Sequence, residues 1–195
     1  MIARFFTFAL VALAAACGPG APTPPRCELV AEARVDLTAP GAADRVTARS
    51  FGPTCEEAIL LYAVTTADGE AIWAWSGVAQ RAFGEAMRGG NTDTMQSFLD
   101  RWVSAQVERA SAAPPWPLIG DAAVTLERAT YEDIRARDLP VLCHLSGVAR
   151  ETCVFWEPAA GGAGHFYERD AQDAGGAPEP LHSGDEDLVI RSEDE

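Results

Sequence analysis

The spacing of apolar and polar residues predicts strands at the start of the folded part of the chain. Residues 27–37 and 45–51 alternate loosely between the two classes, as strands with one buried face do. Pro40-Gly41 between them predicts a turn, and Gly52-Pro53 ends the second stretch. Two strands are therefore expected here.

The strongest strand pattern surrounds Asp68-Gly69. Residues 58–66 and 70–76 flank this dipeptide, which favours a two-residue type I′ turn because both central residues need positive φ. Both faces of the resulting hairpin are apolar, so we predict a central hairpin covered on each side. Counting back from the turn pairs Ala67 with Glu70, Val64 with Trp73, and Tyr62 with Trp75. One face then carries Leu60, Tyr62, Val64, Trp73 and Trp75, and the other carries Ile59, Leu61, Ala63, Ile72 and Ala74.

Helical periodicity follows the hairpin. Residues 78–87 form a first candidate helix, which Gly89-Gly90 ends. Asp93 with Gln96 three residues later makes a capping box and opens a stronger helix to about Ala110. Its inward residues recur at i, i+3, i+4 and i+7 and are Met95, Phe98, Leu99, Trp102, Val103, Gln106 and Ala110. Such a pattern is typical of a surface helix that packs on a core.

Prolines separate this helix from the last part of the domain. Residues 114–117 read Pro-Pro-Trp-Pro and predict a rigid connector with Trp116 packed inward; a proline-rich recognition motif is the alternative. Thr130 with Asp133 predicts the start of a short helix through Arg137.

A second hairpin is predicted from residues 141–145 and 152–157. Residues 163–169 add a third strand after Gly161-Gly162. The predicted fold class is therefore α+β, with a small antiparallel sheet of hairpins, packed helices and two disulfides.

The beginning of the chain has the features of an export signal. Arg4 precedes an apolar run from Phe5 to Ala16 that ends in small residues. This run is too short to span a bilayer, which requires about 20 residues in a helix. We therefore predict a removable signal peptide over residues 1–16.

The end of that run, Leu13-Ala14-Ala15-Ala16-Cys17, resembles the lipobox of bacterial lipoproteins. The resemblance implies that Cys17 is acylated, for example with palmitate, and becomes the first residue of a membrane-anchored protein. Gly18 in place of an aspartate resembles the pattern of lipoproteins that proceed to the outer membrane, where the domain would face the periplasm. Ordinary cleavage after Ala16, which leaves Cys17 as a free thiol, is the alternative.

Composition sets the limits of the folded domain. Residues 17–26 are rich in proline and glycine and predict an extended tether. Residues 168–195 carry ten acids against Arg169 and Arg191, so we predict a disordered acidic tail over residues 170–195 and a domain over 27–169. With a net charge of −14 at pH 7, the chain would repel nucleic acid and anionic headgroups.

Four cysteines remain after Cys17, an even set that can pair completely in an oxidising compartment. We predict Cys143–Cys153, since these residues fall opposite each other in the second hairpin, and therefore Cys27–Cys55. Zinc binding is the alternative, but the sequence contains no Cys-x-x-Cys. No metal or other cofactor is expected.

Histidines and aromatic residues provide a candidate binding face on the second hairpin. In the predicted register His144 lies opposite Thr152, and His165 lies opposite Trp156. With Tyr167 they share the face without the disulfide, which would suit sugars or aromatic ligands. The two histidines would lie roughly 16 Å apart and could not bind one metal ion together. A half-buried sheet face is the alternative.

The first hairpin offers a second aromatic surface. Tyr62, Trp73 and Trp75 share one of its faces and could stack on a glycan. In a central hairpin, however, the same residues are expected to form core.

Catalytic motifs are absent from the sequence. It contains no Gly-x-Ser-x-Gly, and Ser-x-x-Lys is excluded because the chain has no lysine. Ser146 is near His144 but on the same predicted strand. The function expected is a non-catalytic binding or accessory module for an envelope protein or glycan. The alternatives are an envelope hydrolase that uses His144 or His165, and a purely structural envelope protein.

Overall fold

The computed structural model of the protein describes residues 26–119 and 123–171. The predicted signal peptide, Cys17 and the predicted tether up to residue 25 lie outside these residues, as does the acidic segment from residue 172. Among the helices of the described residues, none is long and apolar enough to cross a membrane.

The described chain forms two four-stranded antiparallel sheets and three α-helices, an α+β fold that is mostly sheet. Sheet A contains β1 (Leu29–Val35), β2 (Asp44–Phe51), β3 (Ile59–Thr65) and β4 (Ala71–Val78), in chain order. Sheet B contains β5 (Val107–Arg109), β6 (Pro140–Gly147), β7 (Arg150–Glu157) and β8 (Gly162–Asp170), also in chain order. The α+β class is confirmed, but the prediction of one small sheet is corrected to two.

Two of the α-helices follow sheet A in the chain, and the third precedes β6. They are α1 (Ala79–Phe83), α2 (Thr92–Trp102) and α3 (Arg128–Ala136). The cap of α2 is Asn91, whose side chain accepts a hydrogen bond from the Thr94 N–H at 2.9 Å, so the predicted cap at Asp93 is wrong. The helix also ends at Trp102 instead of near Ala110, because the following residues enter β5.

The central hairpin has the predicted register but a different turn. Val64 pairs with Trp73 and Tyr62 with Trp75, as expected. In the turn itself only Gly69 has positive φ, at 89°, so the type I′ prediction is wrong.

The hydrogen bonds of this turn show how the register is kept. The Gly69 N–H donates to the Thr66 carbonyl at 3.0 Å, and the Thr66 N–H donates to the Glu70 carbonyl at 2.9 Å, so Ala67 does not pair with Glu70. The turn therefore has one more residue than predicted. A bulge at Ile72 compensates for it and restores the predicted pairs.

The two sheets share a core. Leu60, Tyr62 and Val64 from sheet A are fully buried in it, together with Leu142 and Val154 from sheet B. α2 packs on β1 and β2 at the edge of the same core. The other face of sheet B packs on α3 in a second core.

In the second core one prediction is confirmed and another is wrong. The ring of Trp116 packs edge-to-face on Tyr131 at 5.6 Å, which confirms an inward-packed connector. The helix α3 begins after Glu127, however, so Thr130 lies inside it instead of at its start.

Both predicted disulfides are present. Cys27–Cys55 joins the segment before β1 to the loop before β3, and Cys143–Cys153 joins paired residues of β6 and β7. The folded region extends slightly beyond the predicted limit, because β8 includes Asp170 and the buried Ala171 donates its N–H to the Ala149 carbonyl at 2.8 Å.

One prediction about packing is wrong. The second apolar face of the central hairpin is not fully covered by the described residues: Ile59 on β3 and Val78 on β4 are 43% and 37% exposed. We call this surface the outer face of sheet A; it carries Arg34, Arg45, Arg49, Phe51, Ile59 and Val78, together with Val30, Glu32, Thr47, Leu61 and Ala63.

Candidate functional site

An aromatic cluster lies where the two sheets and α2 meet. It consists of Tyr62, Trp73, Trp75, Trp102 and His144. The His144 ring stacks on Tyr62 with centroids 4.5 Å apart, and Trp75 meets Trp102 edge-to-face at 5.5 Å. The face predicted as a glycan platform or as core is therefore core.

His144 is held at the centre of this cluster by two hydrogen bonds. Trp73 donates its Nε1–H to His144 Nε2 at 3.0 Å, and His144 Nδ1 lies 3.0 Å from the Leu145 carbonyl oxygen. Because a carbonyl can only accept, this network assigns the proton to Nδ1. Both ring nitrogens of His144 are thus occupied.

Burial also fixes the charge of His144. The side chain is 2% exposed, and this desolvation lowers its pKa to about 4, although the hydrogen bond to Leu145 opposes the shift. The ring is therefore neutral at neutral pH. It has no free lone pair with which to act as a general base.

A cleft of about 290 Å³ adjoins the aromatic cluster. It lies beside β6, because β5 pairs only with Pro140–Leu142 and leaves the following residues of β6 without a strand on that side. The Trp102 Nε1–H donates to the Leu145 carbonyl at 3.0 Å and so occupies one of the unpaired acceptors. The cleft is at the small end of the range for ligand pockets, about 300–1,000 Å³.

Most polar groups in and near this cleft already have hydrogen-bond partners, although the Arg101 side chain that lines it has none among the described residues. The Ser104 hydroxyl donates to the Asp100 carbonyl at 2.9 Å, and Glu151 accepts a hydrogen bond from Arg169 at 2.8 Å. Ser146 accepts from the Thr152 hydroxyl at 2.8 Å. Within the described part of the chain, no serine is hydrogen-bonded to a histidine, so no nucleophile–base pair is assembled here.

The four residues of the candidate binding face do not form one open surface. His144 pairs with Thr152 as predicted, but it is buried. Tyr167 pairs with Cys153 and lies in the second core, so its predicted place on the face without the disulfide is wrong.

The two register differences have separate causes. A bulge between Cys153 and Val154 places Tyr167 opposite Cys153. His165 lies opposite Val154 and not opposite Trp156, because pairing already begins two residues from the predicted register, at Glu157 and Gly162. Trp156 is half-buried against the core between the sheets. His165 Nδ1 lies 3.2 Å from the Thr125 hydroxyl, and partial burial lowers the pKa of this histidine.

Sequence reasoning missed an ion-pair network in sheet B. Arg169 donates to Glu108 at 2.7 and 3.0 Å and to Glu151 at 2.8 Å. Burial alone would lower the pKa of Arg169, but the hydrogen bonds to the two carboxylates outweigh it and raise the pKa. The network joins β5, β7 and β8. The sequence pattern does not reveal it, because Arg169 lies directly before the predicted acidic tail.

Arginines and apolar side chains lie side by side on the outer face of sheet A, where Arg49 lies between Val30 and Leu61. Phe51, Ile59 and Val78 form one row across β2, β3 and β4. At the other end of the strands Arg34 lies directly opposite Arg45. Arg34, Arg45 and Arg49 form no ion pair with an acid of the described residues. Such a surface can bind a partner that presents apolar and acidic groups together.

The described residues contain no group of three or more histidine, cysteine or acidic side chains arranged to hold a metal ion. Comparison of the chain with protein-family models, with curated proteins and with solved structures found no match.

Proposed function

We propose that this chain is a lipoprotein of the bacterial envelope whose domain binds a partner protein without catalysing a reaction. In this proposal Cys17 carries the lipid that attaches the chain to the outer membrane, and residues 18–25 hold the domain away from it on the periplasmic side. The lipobox-like leader supports the anchor. The pairing of the four cysteines of the domain supports an oxidising compartment.

The observation that carries the binding role is the outer face of sheet A. An antiparallel sheet can expose one face to water, but that face is then usually polar. Here Phe51, Ile59 and Val78 are exposed in one row. Contiguous exposed apolar residues on a soluble domain mark surfaces that bind other molecules.

The chemistry of that face favours a protein partner over a glycan. Sugars are bound by exposed aromatic rings, whereas Tyr62, Trp73 and Trp75 are in the core. Apart from the phenyl ring of Phe51, the outer face presents aliphatic groups and guanidinium groups, which suit apolar and acidic side chains.

The hydrolase alternative has less support. Both nitrogens of His144 are occupied by Trp73 and Leu145. His165 is next to the Thr125 hydroxyl, but no acid is hydrogen-bonded to this histidine among the described residues. A general base needs a free lone pair within reach of substrate.

The binding role can be tested by affinity capture from the envelope. We expect Ile59→Ser to reduce the recovery of co-purifying protein several-fold, because it removes the centre of the apolar row. Leu118→Ser is the matched control, since Leu118 is 77% exposed but lies on the connector before α3. Equal recovery with both variants and the unmodified chain would argue against a partner on this face.

A further inference from the structure

We propose that the acidic segment of residues 172–195 docks in cis on the outer face of sheet A. The inference rests on the proposed binding role of that face, and it names the occupant of the face when no partner is bound. A partner of similar chemistry would then have to displace this segment.

Charge complementarity is the first argument. Three arginines lie on the outer face against a single acid, Glu32, in the described strands. Arg34 and Arg45 are directly opposite each other, and like charges in that arrangement destabilise a sheet. Residues 172–195 contain eight acids and one arginine, so they carry the charge that this surface lacks.

Apolar complementarity is the second argument. Residues 188–190 read Leu-Val-Ile and are flanked by Asp185-Glu186-Asp187 and by Glu193-Asp194-Glu195. The outer face also combines the two kinds of group, with Arg49 near the row of Phe51, Ile59 and Val78 and with Arg34 and Arg45 at the far end of the strands. An acidic segment without apolar residues would complement only half of this surface.

The third argument is where the segment leaves the domain. The Ala171 N–H donates to the Ala149 carbonyl at 2.8 Å, and the neighbouring Val148 donates its N–H to the Ala82 carbonyl of α1 at 3.0 Å. α1 begins directly after Val78. Residue 172 therefore follows a point close to the apolar end of the outer face.

The segment is also long enough. Four strands at standard spacing make a face about 15 Å wide, and the stretch of β2 from Phe51 to Arg45 is about 20 Å long. Residues 172–195 are 24 residues, and an unstructured chain of that length has a root-mean-square span of about 25 Å. Both the apolar row and the arginines are within reach.

Site-specific cross-linking in the full-length chain tests this proposal. A photo-reactive benzoylphenylalanine replaces Thr47, which lies at the centre of the outer face between Glu32 and Ala63. We expect cross-links within one molecule to residues 172–195, identified by mass spectrometry. The same group in place of the exposed Leu118 is the control and should give a several-fold lower yield.

Two sets of variants then test the charges. Arg45→Glu with Arg49→Glu should lower the yield from position 47 several-fold, whereas Arg128→Glu, on the exposed start of α3, should not. The cross-linking yield from position 47 should fall equally when the acids of residues 185–187 are neutralised together, as Asp185→Asn, Glu186→Gln and Asp187→Asn. These substitutions leave the described domain unchanged. Salt at about 1 M, where the Debye length is about 3 Å, should have the same effect.

Equal yields from positions 47 and 118, or no cross-link to residues 172–195, would overturn the proposal. Cross-links to a second copy would overturn it as well and would assign the face to self-association. Cross-links to another envelope protein, with none to this segment, would refute cis docking and leave the proposed function standing. The remaining combination is cross-links to residues 172–195 together with unchanged affinity capture by the Ile59→Ser variant. That result would support docking and count against the proposed function.

Discussion

At the scale of single residues, His144 shows how partners decide what a histidine can do. Its position in the sequence, near Ser146 on a strand, made it a candidate for catalysis or binding. The sequence does not reveal that Trp73, from the other sheet, donates to its Nε2. Long-range hydrogen bonds of this kind depend on how the sheets pack, so the role of the ring could only be read from the structure.

The buried imidazole makes stability depend on pH. The pKa of His144 falls from 6.5 in the unfolded chain to about 4 in the folded protein, so between these values the unfolded chain binds a proton that the folded protein does not. Stability is therefore full above pH 6.5 and is lost as pH falls. We expect a loss of about 2 kcal/mol between pH 7 and pH 5, measured by urea unfolding.

The acidic residues with lowered pKa values, such as Glu132 and Glu157, titrate below this interval and do not obscure it. His144→Asn should remove most of the pH dependence, even though it lowers stability overall. His165→Asn is the control and should retain most of it. If the unfolding free energy of the unmodified protein were the same at pH 7 and pH 5, His144 would not be desolvated as described.

Tyr62 provides the second residue-scale test. Its hydroxyl is buried and has no hydrogen-bond partner among the described residues. A buried polar group without a partner costs about 1–3 kcal/mol, so we expect Tyr62→Phe to leave stability unchanged or to raise it by about 1 kcal/mol. Thermal or urea unfolding measures the difference.

Tyr131→Phe is the matched control for this substitution. The Tyr131 hydroxyl donates to the Pro114 carbonyl at 2.7 Å, so its removal should cost about 1 kcal/mol. If both substitutions destabilised the protein equally, the Tyr62 hydroxyl would have a partner after all.

At the scale of elements, β5 depends on side chains more than on its own ladder. It has three residues and pairs only with β6. Arg169 on β8 binds Glu108 on β5 and Glu151 on β7, and its side chain is 17% exposed. The ion-pair network therefore connects the first strand of sheet B to the last two.

We expect Arg169→Gln to lower the unfolding free energy by about 2 kcal/mol, between the values for exposed and fully buried pairs. Arg169→Lys should recover only part of this, because one ammonium group cannot reproduce the planar fork that binds two carboxylates. Arg150→Gln breaks an exposed pair with Glu168 and should cost about 0.5 kcal/mol or less. Similar losses for Arg169→Gln and Arg150→Gln would show that the network adds no stability.

The elements also show what a sequence can predict about a fold. The hairpin register depends on apolar side chains over many residues, so the predicted register was correct. The predicted turn type was wrong, and a bulge compensates for the extra residue of the turn. The pairing of Cys143 with Cys153 followed from the same kind of counting. β5 could not be predicted, because three residues carry no periodicity and the segment continued a helical pattern.

At the scale of the whole molecule, the candidate site was the part least accessible to prediction. Two apolar faces on one hairpin indicate that both faces are covered. The sequence cannot distinguish a face covered by the same domain from a face covered by another molecule or by a segment outside the domain. Sheet B covers one face. The other remains the outer face of sheet A, which is why a surface expected to be core became the candidate binding surface.

The anchor is the property on which the placement of the molecule depends. The predicted lipid at Cys17 would hold the chain on the membrane with several acyl chains, each contributing about 0.8 kcal/mol per buried CH₂. We expect Cys17→Ser to move the protein from the membrane fraction to the soluble fraction, as followed by immunoblotting after cell fractionation. Cys27→Ser with Cys55→Ser is the control, because these residues form a disulfide inside the domain and their loss should not affect membrane attachment. If the Cys17→Ser protein stayed with the membrane, attachment would have to come from another part of the chain, and the acyl anchor would be wrong.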